Sequence, residues 1–78
     1  MSLVNVKVIE GQYDDIQKHE LIERLTDAVL ELEGEHMRPA TVVVIEEVRS
    51  GQVGVAGRPI TTADVRLLAA GTPHRGLR

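Results

Sequence analysis

Cysteine is absent from these 78 residues, as are phenylalanine and tryptophan, and one tyrosine is the only aromatic. Without cysteine there can be no disulfide and no thiolate metal site, and its absence fits the cytoplasmic setting expected by default. Without Phe or Trp, core volume must come from Val, Ile, Leu and Ala. No apolar run approaches the ~20 residues that cross a bilayer. The start lacks a basic region followed by a long apolar stretch, so neither a membrane span nor a secretion signal is expected. Charge of one sign is also missing. The formal net charge is −3 with both signs interspersed, which offers no broad basic surface to nucleic acid. His74, Arg75 and Arg78 read as part of a solvated, mobile tail over 73–78.

What is present fits one small α/β domain over residues 1–78. A chain this short buries a limited share of its surface, and 42% hydrophobic residues with one aromatic make self-association the expected remedy. Leu3 to Ile9 reads as a strand, with Val4, Val6 and Val8 on one face and Leu3, Asn5, Lys7 and Ile9 on the other. Asp14 and Gln17 have the spacing of a capping box. The helix they open runs to about Glu33, with Leu21, Ile22, Leu25, Ala28, Val29 and Leu32 as its apolar stripe and Gly34 as its stop. Thr41 to Val48 is a second strand. Its unbroken Val42-Val43-Val44-Ile45 run predicts burial on both faces, as in a parallel sheet. Strand, helix and strand make a right-handed β-α-β unit. Two strands alone leave exposed edges, so a partner chain is expected to extend the sheet. Gly51 to Gly57 suggests a small hairpin carrying Val53 and Val55. A short last helix, capped by Thr61 or Thr62, ends before Gly71.

Several constellations have plain structural readings. His19, His36 and His74 form no i, i+4 pair, so no metal or cofactor is expected. Asp14 and Asp15 belong to helix capping. Glu46 and Glu47 point to opposite faces of a strand. Gly51, Gly54 and Gly57 match neither the dinucleotide fingerprint nor the phosphate loop.

Three segments carry a family resemblance. They are the strand ending Val4-Asn5-Val6-Lys7-Val8-Ile9-Glu10-Gly11; the amphipathic helix followed by Glu33 to Pro39 and the valine strand; and Ile45 to Gly57 with its glycine hairpin. Together they resemble the 4-oxalocrotonate tautomerase family across roughly residues 1 to 60. The last helix looks like the C-terminal extension of a longer subgroup. The resemblance implies a β-α-β subunit that pairs into dimers and assembles to hexamers. It also implies keto-enol isomerisation by an amino-terminal proline, two substrate-binding arginines and a hairpin aromatic. Here the proline position falls on Ser2, the arginine positions fall on Gln12 and near Val42, and the aromatic position falls on Val53.

Ser2 is therefore the pivotal residue. Proton shuttling needs a neutral amine near the reacting carbon. An α-amine starts near pKa 7.7 to 8.0 and is lowered in an apolar pocket. Ser2 is small enough for Met1 to be removed, which would leave its α-amine at the family position. A second reading makes its hydroxyl a nucleophile activated by its own amine. The plain reading is that Ser2 simply begins a strand. Arg38, just ahead of the second strand, and Arg49 are the remaining candidates to grip an anion. The expected function is weak or lost tautomerisation of a small enolisable carbonyl acid, on a pocket lined by Gln12, Val42 and Val53. The alternative is a non-catalytic oligomer that binds a small molecule or serves as structure.

Overall fold

The computed structural model describes residues 1–71, in the order β1 (Ser2–Ile9), α1 (Asp15–Glu33), a 3-10 segment (Glu35–Ala40), β2 (Thr41–Val48), β3 (Val53–Val55), β4 (Arg58–Ile60) and α2 (Thr62–Ala69). The tail read over 73–78, with His74, Arg75 and Arg78, lies outside the described residues. β1 pairs with β2, and β3 with β4. The Glu10 N–H donates to the Val48 carbonyl at 2.7 Å, which joins the C-terminal ends of β1 and β2, so these strands run parallel. A parallel pair needs a long crossover, and α1 supplies it.

The chain folds as two compact units, and β1 and β2 each run through both. Met1–Lys7 and Tyr13–Glu46 form the first. Here α1 starts with the expected capping box: the Gln17 N–H donates to Asp14 Oδ1 at 2.8 Å, and the Asp14 N–H donates to Gln17 Oε1 at 3.0 Å. The Gly34 N–H closes the other end on the Leu30 carbonyl at 2.8 Å. Thr26 sits in the helix interior with its hydroxyl turned back to the Ile22 carbonyl at 2.7 Å, so its polar group needs no water.

Two expectations for this unit require correction. Leu32 is 92% exposed and Ala28 is also exposed, whereas Leu30, outside the predicted stripe, is 5% exposed. The inward stripe runs through Leu21, Ile22, Leu25, Thr26 and Val29 and drifts to Leu30 in the last turns. Leu30 lies four residues after half-buried Thr26 and so on the same face, which carries the inward stripe past Ala28 and Leu32. The second correction concerns β2, which is not covered on both faces. Thr41, Val43 and Ile45 are half-buried, while Val42 and Val44 are 39% and 37% exposed. In β1, likewise, Leu3, Asn5 and Lys7 are exposed between half-buried Ser2, Val4 and Val6. One face of each strand in this unit is therefore open, and an apolar run alone did not distinguish one covered face from two.

Val8–Gln12 and the chain from Glu47 onward form the second unit. Its buried apolar residues are Val8, Ile9 and Ile60 among those described. The hairpin is later than expected. β3 and β4 are antiparallel with Val53 opposite Ile60, Gly54 opposite Pro59 and Val55 opposite Arg58. Val53 and Val55 thus share one strand, and Ala56-Gly57 is the turn. Both turn residues have positive φ, 52° and 80°, as a tight two-residue hairpin turn requires. Pro59 is accommodated because β4 is a three-residue edge strand. Thr61 is the cap of α2, completing a second capping box with Asp64.

Candidate active site

Ser2 is the first residue of β1 and is half-buried. Its hydroxyl donates a hydrogen bond to Glu33 Oε2. The other oxygen of Glu33 lies 3.8 Å from the amino-terminal nitrogen on Met1. The end of α1 thus brings a carboxylate to the chain start, across 31 positions of sequence. Nothing in the sequence periodicity links the two. Farther along β1, Asn5 donates its side-chain amide to Glu46 Oε1 on β2.

Arg38 lies in the 3-10 segment and is committed to two carboxylates. Its Nε donates to Glu35 Oε1 at 2.6 Å and its Nη2 to Asp27 Oδ1 at 3.1 Å. Hydrogen bonds first to Glu35 and then to Asp27 raise its pKa further above the ordinary guanidinium range, so it stays charged. Among the described residues Ser2 and Arg38 share no hydrogen bond or ion pair. Val42 stands on the open face of β2.

The remaining expected site residues belong to the second unit. Gln12 is exposed, with its N–H donating to the Ile9 carbonyl at 3.2 Å. Val53 is half-buried in β3. Arg49 is exposed and its carbonyl accepts the Gln52 N–H at 2.9 Å. The turn before Gln12 is closely held: Thr62 Oγ1 donates to the Glu10 carbonyl at 2.6 Å, and Arg66 Nη2 donates to the Gly11 carbonyl at 3.0 Å. Gly11 has φ of 77°, and a Cβ there would meet both Arg66 and Thr62 at 3.3 Å. The positive φ favours glycine, and a side chain would press on both neighbours.

A groove of about 230 Å³ in the first unit is lined by Tyr13, Gln17, Glu20, Leu21 and Arg24. None of the residues predicted to form the site lines it. Glu20 and Arg24, one helical turn apart, are ion-paired there. Among the described residues no cluster of three or more His, Asp or Glu has the arrangement to hold a metal. No described helix is long and apolar enough to cross a membrane.

The order of these elements has a counterpart among known proteins. The family model described as tautomerase enzyme matches residues 3–63. The chain belongs to the tautomerase family. A probable tautomerase of Staphylococcus aureus is 46% identical over 57 residues, covering 73% of this chain and 90% of the relative. The 2-hydroxymuconate tautomerase of Bacillus subtilis is 41% identical over 61 residues, covering 78% and 95%. A crystal structure described as a homologue of 4-oxalocrotonate tautomerase superposes with a TM-score of 0.67 at 40% identity, over 81% of this chain and 97% of that one. The family match ends early in α2, so Arg66 lies beyond it. Within this tautomerase-family chain, Ser2 lies one residue ahead of the match, at the head of the strand that the match begins in.

Proposed function

We propose that this tautomerase-family chain is a weak keto-enol isomerase of small enolisable carbonyl acids, acting through the α-amine of Ser2 after removal of Met1. The observation that carries the reading is the position of Ser2: it opens β1, half-buried, immediately before the residues that match the family. A secondary amine is not needed for the chemistry. In the ketone-to-enol direction the neutral amine takes a proton from the carbon beside the carbonyl. The C–H electrons form the C=C bond, the carbonyl π electrons move to oxygen, and the ammonium just formed returns its proton there. Ketonisation runs the same steps backwards. The ammonium protonates carbon, the enol O–H proton returns to nitrogen, and no other reactant is consumed.

Substrate class follows from charge. Gln12, Val42 and Val53 carry no cation, and Arg38 is held by Glu35 and Asp27. A substrate less charged than a dicarboxylate suits these side chains. We further propose that the chain works as a self-assembled dimer to hexamer. Leu3, Val42 and Val44 leave apolar surface on the open strand faces, and a second copy would cover it. A folded monomer at micromolar concentration would contradict this part.

The test begins with mass spectrometry of the mature amino terminus. Ketonisation of phenylenolpyruvate is then followed for the processed chain and for Ser2→Pro. Slow turnover that rises in the proline variant supports the reading. The lack of cations at Gln12, Val42 and Val53 favours a second reading, a small-molecule binder without turnover. That reading takes over if neither chain exceeds buffer but the enol still binds.

A further inference from the structure

Glu33 is poorly explained by the helix it ends. The C-terminus of a helix carries partial negative charge and favours cations. Yet α1 has no basic residue in its last turn, and Glu31, Glu33 and Glu35 bring three acids to this end. Glu35 is answered by Arg38. The partners of Glu33 among the described residues are both at the chain start: the Ser2 hydroxyl and the amino-terminal nitrogen at 3.8 Å. Its side chain retains 28% exposure against 73% for Met1, so the carboxylate is the more sheltered member of the pair.

We infer that Glu33 is a positioning residue for the amino terminus, holding Ser2 by its hydroxyl and keeping the α-amine within ion-pair reach. This rests on the proposed isomerase reading only for its consequence in turnover. Removal of Met1 moves the α-amine onto the residue whose hydroxyl Glu33 already holds. The carboxylate then limits Ser2 to rotamers that keep hydroxyl and amine on one anion. Once the amine is on Ser2, a carboxylate held by that same residue favours the charged form, which delivers a proton to an enol carbon. Of the other charged groups toward this end of α1, Arg38 binds Glu35 and Asp27, and Glu46 on β2 binds Asn5.

The experiment uses the processed full chain and the variants Glu33→Gln and Glu33→Asp. Titration of the Ser2 side-chain and backbone carbon resonances reads the amine directly, with or without catalysis. The Ser2 midpoint is expected at lower pH in Glu33→Gln than in the parent, with Glu33→Asp between them. Where the parent turns over phenylenolpyruvate, Glu33→Gln is expected to lose about tenfold or more in kcat, because small misplacement of a reacting group is costly. An unchanged Ser2 midpoint in both variants overturns the inference, as does unchanged kcat in an active parent. Failure of the parent to turn over would sink the isomerase proposal instead, and the titration would still judge Glu33. Circular dichroism separates a folded Glu33→Gln chain from a collapsed one, and Glu33→Asp serves if the former does not fold.

Discussion

The two ends of β1 are held in different ways. At its C-terminal end, Val8 and Ile9 are buried, and the turn that follows is bonded from several sides. Glu10 donates its N–H to Val48, accepts Thr62 Oγ1 on its carbonyl, and accepts the Ser50 N–H on its side chain at 2.9 Å. The Gly11 carbonyl accepts Arg66, and the residue's φ of 77° favours glycine. At the N-terminal end, Ser2 is half-buried, and among the described residues its side chain has one partner, Glu33. A densely bonded segment opens less readily than one held by few contacts. α1 repeats the contrast within one element. It begins with a reciprocal capping box and ends on acids that oppose its own dipole.

Substitutions at the tied end should therefore cost stability and leave the Ser2 amine unchanged. The largest effect is expected from Ile60→Ala. Ile60 is 2% exposed, and removing a buried aliphatic side chain costs about 2–5 kcal/mol in urea unfolding. A loss well below that would mean the second unit has no rigid core. Thr62→Val keeps shape but removes the bond to the Glu10 carbonyl, and should cost about 1 kcal/mol by the same measurement. If it instead moved the Ser2 titration, the two ends of β1 would be coupled rather than distinct. Ala56→Gly acts in the opposite direction. Ala56 has φ of 52° without being glycine, and relieving it should stabilise by roughly 0.5–1 kcal/mol in a thermal melt.

The smallest effect is expected at Arg38. Its pKa is raised, so any stability it contributes is present at low pH and lost only as pH rises through that high value. Arg38→Ala should leave the slope of stability against pH unchanged near neutrality. A changed slope there would show that Asp27 or Glu35 depends on the arginine for its charge state.

The regular elements were legible in the sequence because their signals are local. Asp14 and Gln17 lie within one helical turn, and the alternation of Val4, Val6 and Val8 repeats every second residue. The turn at Ala56-Gly57 was harder, since alanine rarely accepts positive φ and Pro59 disguises the return strand. Leu30 and Leu32 exchanged roles because amphipathic periodicity tolerates a small drift at a helix end. In the candidate site, Ser2 could be marked by resemblance, but its partner could not. Glu33 meets it through folding over 31 positions, and neither residue carries a signal for the other. Arg38 had the chemistry of an anion grip, yet Glu35 three residues earlier already takes its Nε. That i, i+3 spacing was readable beforehand and favours the local pair.

The most direct test is the rate of phenylenolpyruvate ketonisation by the chain whose mature terminus has been established as Ser2. Slow turnover that increases in Ser2→Pro and disappears when the α-amine is blocked is the predicted result. Turnover that survives blocking of the amine, or no turnover above buffer in either chain, would contradict it.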